Sequence, residues 1–219
     1  MMARMGLKWY SLVLALVAIM ALTLVAPVAA VPATYAHIDN WGWSGSPLIS
    51  PFTNPTDVAV NSSGYVYVAD KGSPSILLFD PAGNYQTEFG AALSVNPAGG
   101  IAVNSSGYVY VADHDEQEIR IYDPSGNYLG ESTSGPYSTD VGGVAVNASG
   151  YLYVEDNVIG NILRFDPSGN YLSAFGSTPY DATLDLMDVA VNSSGYAYAI
   201  DEGAPHYPVL IYDSMGTYV

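Results

Sequence analysis

The sequence predicts an all-β protein, a β-propeller of four repeated four-stranded antiparallel blades. Three observations predict it. The stretch Val58-Ala-Val-Asn-Ser-Ser-Gly-Tyr-Val-Tyr-Val-Ala-Asp70 returns as Ile101 to Asp113, as Val144 to Asp156 and, more weakly, as Val189 to Asp201. The first turn residues, Asn61, Asn104, Asn147 and Asn192, are spaced by 43, 43 and 45 residues, a period that marks a repeat architecture. Beyond the N-terminal leader no segment carries a 3.6-residue apolar period.

Each element of the unit has its own reason. Val58-Ala-Val60 is a short apolar run, strand a. Asn61-Ser-Ser-Gly64 is a turn, because Asn tolerates unusual backbone angles and Gly permits positive φ. Tyr65-Val-Tyr-Val68 is β-branched and aromatic, strand b. Ile76-Leu-Leu-Phe79 is strand c, Asp80-Pro-Ala-Gly-Asn84 a second turn, and Tyr85 to Phe89 strand d. Four such strands make one propeller blade. In strand b the tyrosines are expected on one face and the valines on the other. Strand c is continuously apolar in repeats 1 and 4, the pattern of a sheet covered on both faces. Tyr65, Tyr67, Tyr108, Tyr110, Tyr151 and Tyr153 are therefore expected to be wedged between blades. A blade of about 40 residues is near the limit for folding alone. Stacking adds roughly 1.5–3 kcal/mol per large apolar side chain buried.

Residues 1–33 read as a signal peptide or N-terminal anchor, and 34–219 as the blades, with repeats near 55–90, 97–132, 140–176 and 186–219. Arg4 and Lys8 precede an apolar run from Trp9 to Ala26, followed by small residues at Ala29, Ala30, Ala33 and Ala36. That is the layout of a cleavable secretory signal. The run is also about long enough to span a bilayer uncleaved. Both readings export the blades to the cell surface or the extracellular space, and the membrane is met only through an uncleaved leader. The absence of cysteine removes disulfides and thiol chemistry.

All 21 acidic residues follow the leader, against Lys71, Arg120 and Arg164. Nucleic acid is excluded as a partner class, since phosphate binding requires a basic surface. Propeller connectivity places the a–b and c–d turns on one face and the b–c and d–a loops on the other. The second face collects Asp70, Asp113, His114, Asp115, Glu116, Glu118, Glu155, Asp156, Asp201, Glu202 and His206. Carboxylates suit hard cations, so calcium is a candidate ligand, although the spacing is not that of an EF-hand loop. His114 and His206 occupy comparable loops and, with carboxylates, suggest zinc as a weaker candidate. The simplest reading is a solvated acidic face with no cofactor. The a–b turns Asn61-Ser-Ser63, Asn104-Ser-Ser106, Asn147-Ala-Ser149 and Asn192-Ser-Ser194 are N-glycosylation sequons, although turn formation alone explains their recurrence. No Gly-x-Ser-x-Gly elbow or Walker loop occurs.

Pro55-Thr-Asp-Val-Ala-Val60, Gly64-Tyr-Val-Tyr-Val-Ala-Asp70, Leu78-Phe-Asp-Pro-Ala-Gly83 and Glu88-Phe-Gly90 together resemble the NHL family of propeller repeats, and Phe165-Asp-Pro-Ser-Gly169 with Ala174-Phe-Gly176 repeats the likeness. Exported propellers of the YVTN surface-layer type are a close second resemblance. The resemblance covers about residues 37–219. It implies a binding face on the b–c and d–a side, and usually six blades. It also implies an Arg just before strand c, paired with the Asp that ends strand b. Those positions hold Ser75, Glu118, Asn161 and Pro208, so that pair is expected to be missing, with Asp70, Asp113 and Asp201 satisfied by backbone, water or a cation. Metal-dependent lyases of the family imply more histidines than the three present here.

His37-Ile-Asp-Asn-Trp-Gly42 aligns with strand d, and Thr217-Tyr-Val219 begins one. Either four blades close on themselves or they belong to a six-bladed ring; the second is favoured. The functional expectation is a non-catalytic binding module for protein or glycan partners. A metal-dependent propeller lyase or hydrolase, and a structural surface-layer or adhesive protein, are the alternatives.

Overall fold

The computed structural model describes residues 52–72, 75–90, 100–132, 141–176, 186–201 and 209–219. The leader, the segment 37–42, Glu202, His206 and Pro208 lie outside the described residues. The first sheet is β1 (Pro55–Val60), β2 (Val66–Asp70), β3 (Ser75–Phe79) and β4 (Tyr85–Phe89). The second is β5 (Ile101–Val103), β6 (Val109–Asp113), β7 (Glu118–Tyr122) and β8 (Tyr128–Glu131). The third is β9 (Val141–Val146), β10 (Leu152–Asp156), β11 (Asn161–Phe165) and β12 (Tyr171–Phe175). The fourth is β13 (Leu186–Val191), β14 (Ala197–Asp201) and β15 (Val209–Tyr212), extended by a Tyr212–Tyr218 bridge at the start of its outer strand. Every sheet runs in chain order with antiparallel neighbours. These are the four blades of a β-propeller, and no helix occurs among the described residues.

The turns explain the repeat. Asn61 Oδ1 accepts the N–H groups of Ser63 and Tyr65, each at 3.0 Å. Gly64 takes φ +83°, and a Cβ there would stand 3.2 Å from Pro81 of the neighbouring turn. The Asn bond pair recurs at Asn104, Asn147 and Asn192. In the c–d turn, Asp80 Oδ1 accepts Ala82 and Asn84 N–H, both at 2.9 Å. Those bonds, led by the Asn84 side chain, hold the Asp80 carboxyl below its ordinary range.

Blade faces pack on blade faces. Tyr67, Ala69 and Ile76 of the first blade share a cluster with Ile101, Val109, Val111 and Tyr122 of the second. Tyr110, Ala112 and Ile119 meet Val144, Leu152 and Val154, and Tyr153 and Ile162 meet Leu186, Val189 and Leu210. Val68 turns the other way, onto Leu77 and Phe79, so tyrosines and valines do segregate. Rings continue the contact: Phe89 lies 5.4 Å from Tyr122, and Phe175 lies 5.2 Å from Tyr212.

One packing expectation needs correction. Tyr67, Tyr110 and Tyr153 are buried, but Tyr65 and Tyr108 each keep 37% of their surface exposed. Strand b starts one residue later than the apolar run, at Val66 and Val109. The first tyrosine of each pair therefore belongs to the turn and is only partly covered. Tyr151 is half-buried, beneath the Arg164 guanidinium at 5.1 Å.

Candidate functional site

The b–c loops are held by the aspartates that end strand b. Asp70 is buried; Oδ2 accepts Thr53 N–H at 2.8 Å, and Oδ1 accepts Asn54 N–H at 2.8 Å and Gly72 N–H at 2.9 Å. Asp156, also buried, accepts Val158 N–H at 3.2 Å and Ile159 N–H at 3.3 Å. Asp201 is buried at the end of β14, paired with Leu186. The Asp70 and Asp156 carboxylates serve the backbone rather than solvent, because a buried charge must find donors.

Asp113 departs from expectation. The Arg120 Nε lies 3.0 Å from Asp113 Oδ2 and 2.9 Å from Glu118 Oε1. An Asp–Arg pair therefore exists in the second blade, with the Arg two residues further along than the NHL pattern places it. Val111 pairs with Arg120 and Asp113 with Glu118, so alternation brings all three side chains to one face. Burial pulls the guanidinium down, but the Asp113 and Glu118 charges outweigh it and raise its pKa. Burial, and then the Glu131 charge, push the Glu118 carboxyl up, against Arg120. A guanidinium at Asp113 already supplies the positive charge that calcium would bring.

The outer part of this loop is half-buried His114 followed by exposed Asp115 and Glu116. His114 Nδ1 is 3.4 Å from Asp115 Oδ1, and Glu116 N–H reaches Asp113 Oδ1 at 3.4 Å. The loop closes through Gln117 at φ +58°, where the third blade has Gly160 at φ +63°. Among the described residues no three His, Asp or Glu side chains converge as a metal site.

A second acidic group, missed in the sequence, sits where the innermost strands begin, on the same side as the b–c loops. The register position before Val/Ile-Ala-Val reads Asp57, Gly100, Gly143 and Asp188 in the four blades. Asp57 Oδ2 accepts Ile101 N–H across the first junction at 2.8 Å. Gly100 N–H donates to Gly142 O across the second at 2.9 Å. The approach demands glycine, since a Cβ on Gly100 would stand 2.6 Å from Val144 N, and one on Gly143 2.6 Å from Asp188 Oδ1. Buried Glu155 completes the group, its Oε2 accepting Gly143 N–H at 3.0 Å. Neighbouring protein withdraws water from Asp188 and pushes its carboxyl up; the Asp57 charge adds to this and the Val189 N–H opposes it. The Asp-Gly-Gly-Asp alternation was the signal available in the sequence.

The structure thus divides the predicted residues. Asp70, Asp113, Glu155, Asp156 and Asp201 are buried, while Asp115 and Glu116, with the half-buried His114 beside them, form an exposed rim. On the opposite face the sequon asparagines spend their Oδ1 atoms on the turns, and Nδ2 of Asn104 and of Asn192 lies 3.3 Å from Tyr110 and Tyr198 Oη.

No family model matches the chain, and no curated protein matches it. Solved β-propeller structures do. Hydrazine synthase of Kuenenia stuttgartiensis superposes with a TM-score of 0.63 at 15% identity, over 80% of this chain and 51% of that one. A streptogramin B lyase gives 0.63 at 13% identity, over 78% and 55%. A catalytically inactive virginiamycin B lyase of Staphylococcus aureus with quinupristin gives 0.60 at 15% identity, over 75% and 54%. At such identity the likeness shows the fold alone. The chain spans about half the length of the solved structures it matches.

Proposed function

We propose that this chain is an exported NHL-type propeller, a non-catalytic binding module that presents its b–c and d–a face to a protein or glycan at the cell surface. One observation carries the reading. The carboxylates best placed for chemistry on that face are committed to holding loops, Asp70 to Thr53, Asn54 and Gly72 and Asp113 to Arg120. What the second loop offers to solvent is the rim His114-Asp115-Glu116. The other described cation beyond Lys71 is engaged too, with Arg164 Nη1 donating to Ser214 O at 2.9 Å. Two of the three described cations are thus taken up within the chain, and a face this rich in carboxylates favours basic or hydroxyl-rich partners over anionic ones.

The test compares the wild-type chain with Asp115→Lys/Glu116→Lys on arrayed glycans and arrayed cell-surface protein domains. Loss of a wild-type ligand, and weaker wild-type binding at higher salt, is the expected result. A ligand bound equally by both proteins removes this rim from the account. Of the sequon asparagines, Asn61, Asn104 and Asn192 are the proposed glycan carriers, because Asn147 is buried. Mass spectrometry before and after glycosidase treatment tests this.

A further inference from the structure

The junction between the third and fourth blades shows how this fold receives a guanidinium. Arg164 in β11 lies across the Tyr151 ring at 5.1 Å, and its Nη1 donates to Ser214 O of the fourth blade at 2.9 Å. The repeat sets the same three positions at the junction before it. Tyr108 and Tyr151 each follow the a–b turn of their own blade. Ile121 pairs with Tyr110 as Arg164 pairs with Tyr153. Pro167 follows Asp166 in the c–d turn as Ser214 follows Asp213. The filling differs. Ile121 has no guanidinium to lay on Tyr108. Gly130 stands opposite Ile121 where Ser173 stands opposite Arg164, and a Cβ on Gly130 would meet nothing within 4 Å. A pocket of about 290 Å³ lies there, and its lining includes Tyr108, Ile121, Leu129, Gly130, Glu131 and Pro167.

We propose that this pocket takes the guanidinium of an arginine side chain carried by a protein partner. The molecule supplies its own template, since Arg164 already fills the equivalent place one blade on. The Tyr108 ring is 37% exposed and stands where Tyr151 stands under Arg164; the negative face of such a ring attracts a cation. Pro167 O stands where Ser214 O does, and the turn's own bond runs from Gly169 N–H to Asp166 O instead. A planar guanidinium can stack on a ring and donate sideways to a carbonyl at once, which a compact ammonium does less well. Ile121 and Leu129 suit the apolar stem of such a side chain. Glu131 replaces Ala174 of the third blade, so this junction carries a carboxylate that the other lacks; its Oε2 accepts the Tyr128 hydroxyl at 2.8 Å. A net charge of −16 favours a cation further. The volume falls at the lower edge of the range of about 300–1,000 Å³ for sites that hold a whole small molecule, which suits one side chain. The pocket lies on the side of the a–b and c–d turns, opposite the proposed ligand face, so neither reading rests on the other.

The experiment is an NMR titration of the full chain in mild detergent, with ring-labelled tyrosine. The protein is made without glycosylation, because Asn104, in the turn before Tyr108, is a proposed glycan carrier. The probe is a capped tripeptide with a central arginine. Its control carries citrulline, the uncharged isostere, and N-butylguanidinium serves as the free cation. The expected result is a saturable shift of the Tyr108 ring, assigned by its absence in Tyr108→Leu, with the citrulline peptide binding roughly tenfold more weakly. Ile121→Arg installs the third blade's own residue and abolishes that response. Arg164→Ala empties the next junction and adds a second saturable response, at Tyr151. Circular dichroism checks folding, and where Ile121→Arg does not fold, the Arg164→Ala arm decides. No saturable response, equal affinity for arginine and citrulline, a response that survives Ile121→Arg, or no second site in Arg164→Ala overturns the proposal. So does binding of N-butylguanidinium without binding of the peptide, which would assign the pocket to a free small cation.

Discussion

Asp57 of the first blade accepts the backbone N–H of Ile101 in the second, at 2.8 Å. Its other oxygen accepts Val58 N–H, also at 2.8 Å. One carboxylate thus fixes the start of its own inner strand and ties it to the next blade. Hydrogen bonds to a charged group contribute about 1.5–3 kcal/mol. Asp57→Ala is expected to lower the unfolding free energy by roughly that amount. Asp57→Asn, which keeps an acceptor, should lose less. Urea midpoints of the two variants check this; equal losses would show that one acceptor does not suffice and that both carboxylate oxygens are needed.

Asp188 faces the opposite balance. Lost solvation, with the Asp57 charge added, lifts its carboxyl above the ordinary 3.8. A carboxyl with a raised native pKa holds its proton more tightly folded than unfolded. Its favourable contribution is fully present below the unfolded value and is lost as pH rises through the folded one. Asp188→Asn should therefore raise the melting temperature slightly at pH 7, an effect kept small by solvent screening of this exposed carboxyl, and leave it unchanged near pH 3. Melting curves at the two pH values decide it. A variant that melts lower at pH 7 would show that the charge is stabilising there.

The blades were legible because their causes are local. A turn that needs an Asn acceptor and a positive-φ glycine announces itself in every copy, and so do the valines and tyrosines that alternate across strand b. The start of strand b was misread by one residue, because Tyr65 has the composition of a strand while its N–H is taken by Asn61 Oδ1. The site was less legible. Whether an aspartate at a loop is exposed or buried depends on which donors fold over it. Asp70 finds Thr53 and Asn54, 17 and 16 residues back, which no spacing rule anticipates. Asp57 and Asp188 were visible only as a register position shared with two glycines, a relation that acquires meaning once four inner strands converge.

Arg120 stands where the other blades have Leu77, Leu163 and Leu210. It is a charged residue at an apolar position, held there by Asp113 and Glu118. Removing one partner of a buried ion pair leaves the others uncompensated, at a cost of about 3–5 kcal/mol. Arg120→Leu, although it restores the repeat's own residue, should destabilise the protein on that scale. Combining it with Glu118→Ser, the first blade's residue, should recover part of the loss. A single variant as stable as wild type, by denaturant titration, would show that Asp113 is held by its other contacts alone.

Gln117 closes the loop that carries the exposed rim, in a left-handed conformation at φ +58°. A residue with a Cβ gives up roughly 1–2 kcal/mol there. The third blade avoids the strain with Gly160 at φ +63° in the same position. Gln117→Gly relieves the Cβ contact but makes the unfolded chain more flexible, which returns about 0.5–1 kcal/mol. The net expectation is a stabilisation of at most about 1 kcal/mol. Gln117→Val places a β-branched side chain in the least favourable setting and should destabilise by more than 1–2 kcal/mol, as an order of magnitude. Because Gln117 lies between Glu116 and the Asp113–Arg120–Glu118 triad, the two variants also separate stability from recognition. If the rim binds a partner as proposed, the glycine variant should be more stable yet bind more weakly, since a loop with more freedom must be ordered again on binding. Thermal melts together with ligand titrations measure both quantities on one sample. Equal affinity in the glycine variant would show that the rim is held by Asp113 and its partners, and not by the backbone of Gln117.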